Sequence, residues 1–257
     1  MPTRFLLATL GLSLIPASGQ EPLRDVKYDR KHERNVLDFW PAEETKKAAP
    51  VFVFFHGGGF RNGDKRQMER NGGASLRAHR KAGFAVVSCN YPFLARDMDY
   101  EQIAQHCARA IQFIRSMAET WNIDPKRICC GGISAGALIS EFLAYHDDFL
   151  DPKANDPVAR ESSRAQVVVS LMQPIGTREF ALRFMDKGEA PLFIYSAASP
   201  KDRLHPPAQA ELIYQKAKSL NIPTVIYGGG GNDLPEVPRG NNWLDLQIAF
   251  CLKHLPE

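Results

Sequence analysis

The chain has 257 residues, 44% hydrophobic and 24% charged, a size and balance that suit one α/β domain with a sizeable core. Its 32 Lys and Arg stand against 29 Asp and Glu, a net charge of +3. The basic residues are dispersed rather than striped with aromatics, which argues against nucleic-acid binding.

Residues 1–19 read as a secretory signal: Arg4 forms a short basic region, Phe5 to Ile15 an apolar run, and Ala17-Ser18-Gly19 a small-residue cleavage site before Gln20. A membrane span needs about 20 apolar residues, and this run is shorter. The expectation is a secreted or periplasmic protein with no stable span after cleavage. The single basic residue leaves a retained anchor open. Residues 20–257 then form one domain.

Asp25 to Trp40 predicts an antiparallel edge, with Val36-Leu37-Asp38-Phe39-Trp40 its clearest strand. Val51 to Phe55 is an unbroken apolar run, the mark of a strand buried on both faces, and His56-Gly57-Gly58-Gly59-Phe60 follows it directly. A helix is predicted over 71–83, closed by Gly83, then a strand over Phe84–Ser88. Tyr100–Trp121 has apolar positions at Ile103, Ala110, Ile111, Ile114 and Met117, a helical period.

Ile128-Cys129-Cys130-Gly131-Gly132-Ile133-Ser134-Ala135-Gly136 opens as an apolar strand, crosses a glycine-flanked turn and runs into an apolar helical pattern. That context makes Gly132-Ile133-Ser134-Ala135-Gly136 a candidate nucleophile elbow rather than a bare five-residue match. Gln166–Ser170 and Pro191–Ser196 are further strands, Gly176–Ala190 one amphipathic helix, Ala208–Leu220 a helix, Pro223–Tyr227 the last strand, and Trp243–Leu255 a terminal helix. Strands alternating with helices predict a mostly parallel sheet covered on both faces. The five cysteines, at 89, 107, 129, 130 and 251, are an odd number and fall mostly in apolar runs, so free buried thiols are expected. No Cys or His cluster has zinc-like spacing, and neither a metal nor another cofactor is expected.

The elbow and the His56-Gly57-Gly58-Gly59 loop, each behind its own strand, resemble the α/β-hydrolase superfamily, in particular hormone-sensitive-lipase-like and feruloyl-esterase-like or kynurenine-formamidase-like bacterial esterases. Gly63-Asp64-Lys65, Leu37-Asp38, Asn90-Tyr91 and Ile123-Asp124-Pro125 are similar to segments of the same esterases. The resemblance implies an α/β-hydrolase fold with a minimal lid, Ser134 as nucleophile, and an oxyanion hole from the N–H groups of Gly57, Gly58 and Ala135. Asp202, in Asp202-Arg203-Leu204-His205-Pro206, resembles the family's orienting aspartate. The substrate class implied is a small carboxylic ester or amide.

One departure matters. After the last strand, where the family places its histidine, the chain reads Gly228-Gly229-Gly230-Gly231-Asn232. An amide cannot take the serine proton, and losing the base of such a triad costs about a millionfold in turnover. Asn232 is therefore expected in the space between Asp202 and Ser134. Two histidines follow Asp202: His205, which reads first as a loop histidine in the family's valine position and second as a candidate substitute base, and His254, in the terminal helix. His56 belongs to the oxyanion loop, and His32, His79, His106 and His146 have no catalytic context. Three readings stay open: an impaired or rewired esterase, an inactive homologue that binds an ester or acyl ligand, and a partner-binding exported protein.

Overall fold

The computed structural model describes residues 21–43 and 47–257; the segment expected to be a secretory signal lies outside them. Eight strands form one sheet: β1 (Leu23–Lys27), β2 (Val36–Trp40), β3 (Ala49–Phe55), β4 (Ala85–Cys89), β5 (Ile123–Ile133), β6 (Val167–Leu171), β7 (Leu192–Ser196) and β8 (Thr224–Gly228). Their order is β1-β2-β4-β3-β5-β6-β7-β8. β1 and β2 pair antiparallel at one edge, as do β2 and β4, and from β4 through β8 every pairing is parallel. The helices are α1 (Ala74–Lys81), α2 (Tyr100–Ser116), α3 (Ala118–Trp121), α4 (Ala135–Tyr145), α5 (Pro207–Ser219) and α6 (Trp243–His254). This is the α/β-hydrolase fold.

Alternation along the strands divides the core between the two faces of the sheet. Val51, Val53, Phe55, Cys130 and Ile194 pack with residues of α2 and α4 on one face. Phe52, Phe54, Cys129, Val169 and Phe193 pack with Ile248 and Cys251 of α6 on the other. Consecutive Cys129 and Cys130 thus serve opposite cores, and all five cysteines are buried and free. β3 is buried along its whole length, as a central parallel strand must be.

The strand order also explains where a site forms. From β3 the chain crosses to β4 on one side and then returns to β5 on the other. The loops leaving the carboxyl ends of β3 and β5 therefore diverge, and the crevice between them is the position at which open α/β sheets bind ligands. Both glycine motifs open into it.

Three expected helices differ in extent. The helix expected over 71–83 begins only at Ala74, because Gly72 and Gly73 both adopt φ 68°. Tyr100–Trp121 breaks at Met117, giving α2 and α3, and Asn122 ends it at φ 50°. Gly176–Ala190 holds no long helix: a single π-type turn at Arg178–Leu182 is bounded by Gly176 at φ 100° and Gly188 at φ 83°. Its apolar residues still face inward, with Ala181 and Met185 buried and Phe180 and Phe184 packed against the core.

Candidate active site

Ser134 sits between β5 and α4 with φ 58° and ψ −119°, a conformation that costs a non-glycine residue on the order of 1–3 kcal/mol. The surroundings impose it. The Ser134 N–H donates to Leu171 O at 2.9 Å, and the Ser134 carbonyl accepts from Ala137 N at 2.9 Å. A Cβ on Gly136 would lie 1.9 Å from Phe55 O, and one on Gly132 would lie 2.3 Å from the Gly136 carbonyl. Strand and helix approach so closely that only glycine fits at both positions.

The loop after β7 delivers two further groups. Asp202 Oδ1 accepts from the N–H groups of Leu204 and His205, each at 2.8 Å, so the carboxylate organises the turn that carries the imidazole. Those two N–H groups, with the His205 ring behind them, hold the Asp202 carboxyl below its ordinary range, and it is ionised at neutral pH. Asp202 Oδ2 lies 3.3 Å from His205 Nδ1, and His205 Nε2 lies 2.9 Å from Ser134 Oγ. With Nδ1–H directed at the carboxylate, the Nε2 lone pair faces the serine hydroxyl, which is the tautomer assigned from these contacts.

Asn232 stands elsewhere than its alignment with the family's histidine suggested. Its amide Nδ2 donates to Ser196 O at 2.9 Å and Ala198 O at 3.0 Å, and its Oδ1 accepts from Leu234 N at 3.2 Å. These bonds tie the loop after β8 to the end of β7. The space between Asp202 and Ser134 is filled by His205. Sequence order concealed this, because the two partners are three residues apart on one loop instead of on two loops. His254 lies on α6, where it packs against Phe250.

The oxyanion loop also differs in one donor. The Gly57 N–H is committed to Gln67 Oε1 at 2.9 Å and drops out of the expected set. Gly58 turns the chain at φ 119° and Gly59 at φ 61°, and Gly59 lines the same cavity as Ser134 and Ala135. The Ala135 N–H, at the first position of α4, has no partner inside the helix. Gln67 was not legible in the sequence; only the loop's closure onto the following turn recruits it.

The loop rests on a polar frame. His56 is buried and stacks on Tyr91 with ring centroids 4.2 Å apart, and its Nδ1 donates to Gly57 O at 2.7 Å. Desolvation lowers its pKa to about 4, so it is a neutral structural group. Arg34 donates from Nε to Tyr91 O at 2.8 Å and from Nη2 to Gly63 O at 3.1 Å, while its guanidinium covers Phe93 at 3.8 Å. Lys65 is buried, with Nζ 2.7 Å from Asp38 Oδ1 and 2.8 Å from Asp25 Oδ1. The Gly63-Asp64-Lys65 and Leu37-Asp38 segments thus join the antiparallel edge to the oxyanion loop, and Asn90 braces the first of them, its Oδ1 accepting from Lys65 N and its Nδ2 donating to Asp64 Oδ2.

The cavity beside Ser134 holds about 410 Å³. Phe60, Tyr100 and Phe180 form an aromatic wall with centroid separations of 5.1 to 5.5 Å. Leu138, Ile175 and Leu204 complete the apolar lining, with Glu179 as its acidic side chain. A wider polar cleft of about 1110 Å³ between Lys27–Lys31 and α2 shares no lining residue with it. Among the described residues no group of three or more His, Cys, Asp or Glu could hold a metal ion.

The BD-FAE family model matches residues 37–182, more than half of the chain. The chain belongs to the BD-FAE family. The match spans the oxyanion loop and the elbow and ends before Asp202 and His205. Among curated proteins, tuliposide A-converting enzyme 2 of Tulipa gesneriana is 29% identical over 154 residues, 54% of this chain and 38% of that enzyme. The chain therefore spans well under half the length of that relative. Among solved structures, a truncated carbohydrate esterase from gut microbiota superposes with TM-score 0.74 and 18% identity over 93% of this BD-FAE chain and 98% of that one. Thermogutta terrifontis esterase 2 with propionate bound superposes with TM-score 0.68 and 19% identity over 95% of this chain and 98% of that one. At such identities the structures establish the fold.

Proposed function

We propose that this BD-FAE protein is a serine hydrolase of small carboxylic esters, with Ser134 as nucleophile, His205 as general base and Asp202 as the residue that orients it. The observation that carries the reading is the 2.9 Å contact between His205 Nε2 and Ser134 Oγ. In the first half-reaction His205 takes the Ser134 proton as Oγ attacks the substrate carbonyl, and the N–H groups of Ala135 and the Gly58–Gly59 turn receive the developing oxyanion. The imidazolium then gives its proton to the departing alkoxide, and the acyl group remains on Ser134. Water, deprotonated by the same imidazole, releases the acid. The ionised Asp202 carboxylate stabilises the imidazolium in both halves.

The esterases among the structural neighbours and the apolar cavity beside Ser134 support a small ester as the substrate. The case for an inactive homologue rests on Asn232 standing in the base's place, and His205 removes that premise. Export is part of the proposal: N-terminal sequencing of secreted material should begin near Gln20, and intact Met1 in a cytoplasmic fraction would refute it. For catalysis, the purified protein should be labelled by a fluorophosphonate probe at Ser134 and should hydrolyse p-nitrophenyl acetate. Ser134→Ala should abolish both. Absence of labelling and turnover in folded wild-type protein would defeat the reading.

A further inference from the structure

Helix α4 begins beside Ser134, places Leu138 on the cavity wall, and one turn later buries Glu141 completely. A carboxyl group in such a position has no use in the chemistry above, and its burial is costly unless it is partnered. Among the described residues it forms no ion pair. Glu141 Oε2 accepts from Gln173 Nε2 at 3.0 Å, and the same amide donates to Thr177 Oγ1 at 2.9 Å. Thr177 Oγ1 in turn donates to Pro174 O at 2.9 Å, and the Ser170 hydroxyl bonds Gln173 Oε1. Ser170, Gln173 and Thr177 are as fully buried as Glu141. Between the two anchors Gln173 and Thr177 lie Pro174, Ile175 and Gly176, all three of which line the cavity beside Ser134. A Cβ on Gly176 would already meet Leu138 Cδ1 at 3.4 Å, so this wall lies directly against α4.

We propose that Glu141 is a positioning residue that, through Gln173, fixes the Pro174–Gly176 wall against α4 and so sets the size of the apolar ester substituent the cavity accepts. The proposal rests on the esterase reading. Burial pushes the Glu141 carboxyl up to about 8 against the pull of the neighbouring Gln173 and Ser170 groups, so the group works as a neutral acid at pH 7 and needs no cation. Its other oxygen, Oε1, has no hydrogen-bond partner among the described residues.

The test compares wild type with Glu141→Ala, Glu141→Gln and Thr177→Val. Thr177→Val keeps volume while cutting the link from Gln173 to Pro174, and it serves where Glu141→Ala does not fold. Two ester series are measured, one varying the acyl chain on p-nitrophenol and one varying the alcohol of an acetate. In Glu141→Ala and Thr177→Val, the ratio of kcat/KM for long against short substituents should change at least tenfold in one series, chiefly through KM. Glu141→Gln, which keeps a neutral acceptor for Gln173, should stay within twofold of wild type. Hydrogen exchange of the amides at 173–180 should accelerate at least tenfold in Glu141→Ala and Thr177→Val, with the amides at 56–60 unchanged. Unchanged ratios and unchanged exchange in folded Thr177→Val would overturn the proposal. Should wild type cleave no ester at all, the esterase reading fails, and the exchange result alone decides whether Glu141 holds the wall.

Discussion

The two halves of the proposed catalytic constellation are held by different forces. Ser134 is fixed by backbone sterics: glycines at 132 and 136 with no room for a Cβ, a positive-φ residue, and a central parallel strand. His205 and Asp202 are fixed by one polar turn, in which a single carboxylate oxygen accepts two N–H groups and the other faces the ring. Asp202 keeps 30% of its side-chain exposure and His205 16%. A steric site tolerates no relocation, because every neighbour would have to move with it. A site made by a turn tolerates it well, since any loop that reaches the serine at hydrogen-bond distance can carry the imidazole. The proposed base accordingly stands on the loop after β7 instead of the loop after β8, while the elbow keeps its place.

The largest test of this contrast removes the base. His205→Ala should lower kcat toward p-nitrophenyl acetate by up to about a millionfold, comparable to Ser134→Ala, because serine and base act as one unit. Fluorophosphonate labelling should fall with it. Turnover retained within tenfold of wild type would show that another group accepts the serine proton. Asp202→Asn should cost less, about 10⁴-fold, since in such triads the orienting carboxylate costs less to remove than the serine or the base. The amide oxygen that this substitution introduces could still cap the turn, so the variant separates charge from geometry. A loss equal to that of His205→Ala would mean that the turn itself collapses.

The elbow and the oxyanion loop were legible in the sequence because their physics is local. Gly132, Gly136 and Gly58 are required by close contacts or by backbone angles, and each motif follows an apolar strand that periodicity reveals. The eight-stranded order was legible only in outline, since pairing depends on contacts far apart in the chain. Gly57 does not serve as the expected donor because Gln67, ten residues on, takes its N–H. The proposed base, His205, is concealed for a similar reason. The family pattern locates the base by strand order, whereas the proton needs only 2.9 Å of proximity. The apolar spacing that predicts a helix over Gly176–Ala190 does face the core, yet the glycines at 176 and 188 confine the backbone to one turn.

A third expectation sets the buried polar wall against the exposed polar turn. Glu141 titrates at about 8 in the folded protein against 4.5 for the ordinary group. A carboxyl raised on folding contributes stability that is complete below its unfolded value and is lost as pH rises toward its folded value. Unfolding free energy should therefore decline between about pH 4.5 and 8, by up to about 5 kcal/mol from this group. The titratable neighbour on the same helix is Tyr145, whose phenol burial and the Glu141 charge push upward, so it stays neutral through the window. Denaturant unfolding at pH 5 and pH 8 should show a much smaller decline in Glu141→Gln than in wild type. Parallel declines in the two proteins would mean that Glu141 is ionised, or hydrated, in the native state.

The smallest expected effect falls on Asn232, and it decides whether the β8 loop retains any catalytic part. Its side chain makes three hydrogen bonds, two of them to carbonyls of Ser196 and Ala198 at the start of the loop that leads to Asp202. Removing a partly buried group of this kind costs about 1–3 kcal/mol of stability. Asn232→Ala should therefore lower the unfolding midpoint while reducing kcat only several-fold, through a looser path to Asp202 and His205. Asn232→His should behave no better. An imidazole offers one donor in place of the amide's two, and the position it would need beside Ser134 is already filled by His205. If Asn232→His instead raised kcat tenfold or more, and rescued His205→Ala, the loop after β8 would still be able to present a base to Ser134. The contrast between a fixed nucleophile and a relocated base would then describe two alternative seats for one imidazole.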